Sequence, residues 1–91
     1  MYLEIVSPEA TLFSGEVTSI AVPGVHGEFE MLNNHAPIVS LLKAGQVKIY
    51  GDITLEEDVE TKFTKDANGT FLEINSGTIE MKDNKVIVLA D

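Results

Sequence analysis

The chain has no cysteine, no tryptophan and no arginine; its six basic residues are all lysines. Without cysteine there are no disulfides and no thiolate metal sites, which excludes a disulfide-stapled secreted scaffold. Fifteen acidic residues against six lysines give a formal net charge of −9. Phosphate binding needs clustered Lys or Arg, so nucleic acid is excluded as an expected partner, and an anionic lipid surface would repel the chain. A basic protein partner suits this charge better. No apolar run approaches membrane-spanning length, and the first residues, Met1-Tyr2-Leu3-Glu4, lack a basic leader. The sequence therefore predicts a protein made and kept in the cytoplasm.

Against these absences stands a hydrophobic fraction of 44 % in 91 residues. That suffices for one domain, 1–91, with one modest core. The apolar residues follow a period of two, broken often by turn residues. Strands are predicted at Tyr2 to Val6, Thr11 to Ser14, Glu16 to Val22, Gly27 to Leu32, Ala36 to Leu42 and Gln46 to Tyr50. Further strands are predicted at Ile53 to Leu55, Val59 to Lys65, Thr70 to Asn75, Thr78 to Met81 and Val86 to Ala90. Val47 and Ile49 should point inward. Pro23-Gly24, Ala44-Gly45, Gly51-Asp52, Asn68-Gly69, Ser76-Gly77 and Asp83-Asn84 are the turn signals. Nothing sustains a 3.6-residue period. The expected fold class is all-β, a sandwich or barrel of short strands.

The stretch Pro23 to Gly45 holds the most chemistry. His26 and His35, nine positions apart, could ligate a metal with Glu28, but no recognisable ligand spacing completes a zinc site. Glu28 and Glu30 share one strand face, and could serve a glycosidase as acid and base. A chain without tryptophan offers little of the cleft such an enzyme needs. A charged edge that blocks strand aggregation, or an acidic contact for a partner, explains the pair better. Gly24-Val25-His26-Gly27 lacks the lysine and helix of a phosphate loop. Glu56-Glu57-Asp58 lacks calcium-loop spacing. No cofactor and no catalytic residue are expected, the alternative being a small hydrolase built on Glu28, Glu30 and His35.

Gly27-Glu28-Phe29-Glu30-Met31, followed by His35-Ala36-Pro37-Ile38-Val39-Ser40-Leu41, resembles the epsilon subunit of the rotary proton-translocating ATP synthase. The family pattern is Gly-Glu-Leu-Gly-Ile, two variable residues (often Pro-Gly), then His-Ala-Pro-Leu. Upstream, Val6-Ser7-Pro8-Glu9 and Phe13-Ser14-Gly15 look like the family's first two strands. Downstream, Ser76-Gly77 and Val86-Ile87-Val88-Leu89-Ala90 look like its closing hairpin. The resemblance implies a flattened β-sandwich of about ten short strands. It implies a non-catalytic rotor part, monomeric when isolated, that links the gamma subunit to the c-subunit ring. It would be peripheral to the membrane, at the cytoplasmic face of the bacterial inner membrane. By position, Glu28, Phe29 and Glu30 match the ring contact, and Ser7, His35 and Ser40 match residues near gamma.

Four departures from the family pattern carry structural expectations. Glu30 replaces a family glycine, so a positive φ there would be costly. Asn33-Asn34 replaces Pro-Gly, and Asn34 can still adopt left-handed geometry. Gly51 to Asn68 is longer than usual and should add a hairpin dispensable for gamma binding. The chain stops at Asp91, where the family's two C-terminal helices would begin, so it should couple rotation without a helical brake.

Overall fold

The computed structural model describes all residues, 1–91. Ten strands follow one another: β1 (Tyr2–Val6), β2 (Thr11–Glu16), β3 (Ser19–Gly24), β4 (Gly27–Met31) and β5 (Ile38–Leu42). Then come β6 (Gly45–Tyr50), β7 (Phe63–Asp66), β8 (Gly69–Ile74), β9 (Gly77–Lys82) and β10 (Lys85–Ala90). There is no α-helix, only one 3₁₀ turn at Glu60–Lys62. The all-β expectation holds. The strands form one curled sheet in the order β2-β1-β10-β9-β5-β3-β6-β8-β7, with β4 on the free side of β3. All pairs are antiparallel except β1 with β10, which run parallel.

The curl turns one face of every strand inward, so period-two alternation becomes inside and outside. Leu3, Ile5, Ile20, Val22, Met31, Val47, Ile49, Ile79, Val86 and Val88 have no exposed surface and form the centre of the core. Val47 and Ile49 thus point where their alternation puts them. In β2, Leu12 and Phe13 are both buried, because the register slips between Ile5 and Val6 and one residue bulges. β2 runs on through Gly15 to Glu16, and β3 starts only at Ser19. Between them, Val17 N–H donates to Met1 O (2.9 Å) and Thr18 N–H to Tyr50 O (2.8 Å). The chain there leaves one layer for the other.

Turn chemistry sets the hairpins. Asp83 (φ 52°) and Asn84 (φ 60°) join β9 to β10 with the left-handed pair that a two-residue hairpin favours. Asn34 is left-handed too (φ 62°), and Glu30 is not. Pro23-Gly24 is not itself the turn: both residues lie in β3, and Val25-His26 turn the chain between the paired Gly24 and Gly27. At Gly77 the backbone of β10 comes very close, since a Cβ there would stand 2.3 Å from Leu89 O. Gly77→Ala is therefore expected to lower stability by about 1–3 kcal/mol, read by thermal melting. An unchanged melting temperature would show that β9 and β10 can separate freely at this end.

The stretch Gly51–Asn68 differs from expectation. Val59–Lys65 is not one strand: β7 starts at Phe63. Val59 N–H donates to Glu56 O (3.2 Å) and Lys62 N–H to Val59 O (2.9 Å). These local bonds use backbone groups that a ladder would need. Ile53 to Leu55 forms no ladder either. Ile53 and Val59 are buried in the core, with Leu55 packed against it. Residues 52–59 thus act as a strap that plugs the sandwich. Only β7 and the start of β8 make the expected hairpin, where Asp66 Oδ1 accepts from Asn68 N–H at 2.7 Å. On its other side β8 is a core strand, paired to β6 from Thr70 to Ile74.

Candidate docking surfaces

The outer face of β5, β9, β10 and β1 carries a feature that strand patterning does not require. Register aligns Leu41, Thr78, Leu89 and Val6 in one row, and Val39, Glu80, Ile87 and Glu4 in the next. Val39 is 74 % exposed, Leu41 63 % and Leu89 52 %. Two apolar groups, Val39 with Leu41 on β5 and Ile87 with Leu89 on β10, thus flank Thr78 and Glu80 of β9 on one outward face, an arrangement suited to an interaction surface. Lys82 and Lys85 lie toward one end of this face, with the Lys85 ammonium 5.7 Å from the centre of the Tyr2 ring. In β5, Ile38 and Leu42 turn inward and Val39 and Leu41 outward, and all four are apolar, so alternation alone does not tell which side is covered. The exposure of one side appears only once β9 is paired to it and nothing lies above.

Ser7, His35 and Ser40 sit differently around this strip. Ser7 continues β1 beyond Val6, and its hydroxyl donates to Ala10 O at 3.3 Å. His35 precedes β5 at the opposite end of the face, exposed, with Nδ1 2.7 Å from Ala36 O. Its loop is fastened to the β9–β10 turn. Asn34 N–H donates to Asn84 Oδ1 (2.7 Å), and Asn84 Nδ2 donates to Asn33 Oδ1 (2.9 Å). Ser40 pairs with the fully buried Ile79, so it belongs to the inner side of β5, behind the strip. It lines a shallow depression with Val25, His26, Glu28 and Phe29.

Glu28, Phe29 and Glu30 occupy β4, at the corner that this depression adjoins. Phe29 turns inward, half-buried against the core, and its ring lies so near Gly24 that a Cβ there would stand 2.7 Å from it. Glu28 and Glu30 point outward, yet neither is a loose charge. Glu28 Oε1 meets Lys48 Nζ at 2.9 Å, and Glu30 Oε2 accepts from the buried Ser19 hydroxyl at 3.0 Å. The hydrogen bond and the negative charge of Glu28 raise the Lys48 pKa above its ordinary value. A raised lysine pKa stabilises the fold in full below the unfolded value and loses that contribution as pH climbs through the folded one. On the alkaline side, the contribution of Lys48 is thus complete at neutral pH and is lost only as the lysine itself deprotonates. Lys48, Ser19 and the exposed Val25 are absent from the sequence-predicted site. Their signal is a register, not a motif.

These placements bear on the catalytic alternative. Glu28, Glu30 and His35 each bond to a different neighbour and not to one another. No group of three or more His, Asp or Glu side chains is arranged to hold a metal ion. No helix is long and apolar enough to cross a membrane.

The family model described as "ATP synthase, Delta/Epsilon chain, beta-sandwich domain" matches residues 1–91. The "ATP synthase epsilon chain" of Campylobacter curvus is 41 % identical over 91 residues, covering 100 % of this chain and 60 % of that protein. The same-named protein of Chlorobium limicola is 36 % identical over 89 residues, 98 % of this chain and 86 % of that one. The chain thus spans 60 % of the length of the Campylobacter relatives. Among solved structures, a chain of the Tetrahymena thermophila mitochondrial ATP synthase central stalk/c-ring superimposes with a TM-score of 0.73. It is 15 % identical, and the match covers 99 % of this chain and 62 % of that chain. At that identity the likeness speaks for the fold. The matched profile and the relatives together make this chain a member of the ATP synthase delta/epsilon family, over its β-sandwich domain.

Proposed function

We propose that the chain is the non-catalytic epsilon subunit of the central stalk of a rotary proton-translocating ATP synthase. It fastens the gamma subunit to the c-subunit ring, so that proton flow through the membrane is coupled to ATP synthesis in the head. The observation that carries this is the presence of two unlike surfaces on one small curled sheet. The apolar strip of Val39, Leu41 and Leu89 suits a permanent, dry contact, which we assign to gamma. Ser7 and His35 stand at its two ends and Ser40 backs it. The β4 corner is polar, with Glu28 and Glu30 held in place, and suits the polar loops of the ring; Phe29 supports it from inside. The subunit is a monomer when isolated and needs no cofactor. It is held at the cytoplasmic face of the bacterial inner membrane by the complex.

The relevant experiment reconstitutes the synthase in vesicles with and without this subunit. Proton pumping per ATP hydrolysed is expected to fall at least about tenfold without it, while hydrolysis by the head persists. Full coupling in its absence would overturn the proposal, as would failure to retain gamma in a pull-down.

A further inference from the structure

On the reading that the β4 corner docks to the ring, we propose that Lys48 is a positioning residue that sets how Glu28 presents its carboxylate to that partner. The argument starts from strand pairing. β4 is paired on one side only, to β3, so Glu28 stands on an edge strand. β6 is paired on both sides, to β3 and to β8. Its inward residues, Val47 and Ile49, are fully buried. Lys48 therefore rises from a strand held by ladders on both sides. It stands opposite Ala21, while Glu28 stands opposite Pro23, so the ion pair crosses over β3. Ala21 is 3 % exposed, in keeping with the cover this bridge provides.

The bridge leaves a defined remainder. Lys48 occupies Oε1, and the Glu28 side chain is still 52 % exposed. Oε2 has no partner within the protein, so it remains free to accept a hydrogen bond from outside. The pair is neutral, so the corner offers an oriented hydrogen-bond acceptor and not a free anion, although the chain as a whole carries −9. The complementary chemistry is a donor on the partner loop: an amide, a hydroxyl or a guanidinium. A carboxylate fixed before contact loses less rotamer freedom on docking than a free one. An exposed pair of this kind contributes little to fold stability, so its removal should be felt in docking and hardly in melting.

The test uses the assembled synthase, with retention of this subunit on the ring under dilution and proton pumping per ATP as readouts. Lys48→Ala should weaken retention roughly threefold to tenfold, and Lys48→Arg should restore most of it. Glu28→Gln should weaken retention at least as much, and Glu28→Gln with Lys48→Ala should be no worse than Glu28→Gln alone. The swap Glu28→Lys with Lys48→Glu rebuilds the pair but moves the carboxylate to β6. It should keep the parental melting temperature and still dock poorly. Independent, multiplying effects of the two single changes would overturn the assignment. So would a swapped pair that docks normally, or a Lys48→Ala subunit that docks as the parent does while Glu28→Gln does not. If Glu28→Gln itself changes nothing, the ring-docking reading falls first, and the role of Lys48 with it.

Discussion

Leu41→Glu is expected to abolish capture of the gamma subunit, weakening binding at least about 100-fold, while the domain keeps its fold. Leu41 is 63 % exposed on the outer face of β5, beside Thr78 and one row from Val39. In the free subunit a glutamate there is solvated and costs little beyond a modest loss of strand preference. In the complex it would have to lose water against an apolar surface with no basic partner of its own, and an unpaired buried charge is severely unfavourable. Lys43 follows just beyond the end of β5, Lys82 and Lys85 lie at the other end of the face, and Glu80 stands in the neighbouring row. The control is Leu41→Met, which preserves volume and should bind within about threefold of the parent. Binding to purified gamma is measured alongside thermal melting. If Leu41→Glu binds like the parent, the strip is not the gamma surface. If it melts far below the parent, the exposed position of Leu41 is wrong.

The second large effect is expected inside the strap. Ile53→Ala with Val59→Ala should destabilise the domain by about 4 kcal/mol or more. For a domain of this size that lowers Tm by about 15–30 °C and consumes much of the total stability. Both side chains are buried, at 6 % and 5 % exposure, and they belong to the same core cluster as Leu12, Leu72 and Ile74. This bears against treating Gly51–Asn68 as an ornament that could be replaced by a short turn. Its acidic tip, Glu56-Glu57-Asp58, is exposed and should tolerate substitution. Calorimetry on the double variant, and on Glu57→Ala as the surface control, separates the two. Equal melting temperatures for both would mean that the strap does not plug the core.

The strap also illustrates where reading along the chain stops. Val59, Thr61 and Phe63 alternate like a strand, and period two is the signal on which a strand expectation rests. Yet alternation says only that one side can be buried. It does not say that an unpaired neighbouring edge is available for the ladder. Here the backbone closes on itself between Glu56 and Lys62 before β7 begins. At the docking surfaces the limit is the same. The Gly27–Met31 and His35–Leu41 motifs point to the correct family. They do not reveal that Ser40 faces inward, that His35 and Glu28 lie apart, or that Lys48 reaches Glu28 across β3.

What the amino-acid order determines by itself is everything that depends on neighbours along the chain. Alternating Val86, Ile87, Val88 and Leu89 make a strand because side chains at a rise of about 3.3 Å fall on opposite faces. Asp83-Asn84 reverses the chain because those residues tolerate the left-handed backbone angles a tight hairpin needs. The tertiary structure alone decided which strands meet. β1 lies parallel to β10, almost the whole chain away, and β3 lies between β4 and β6. Such partners are chosen by closure of a common core around Leu3, Ile20, Ile49, Ile79 and Val88, a cooperative property of all the inward faces together. Once those partners are set, the outward faces are set with them. An apolar strip on one side and a pinned carboxylate on the other then follow from register, which no local stretch of sequence contains.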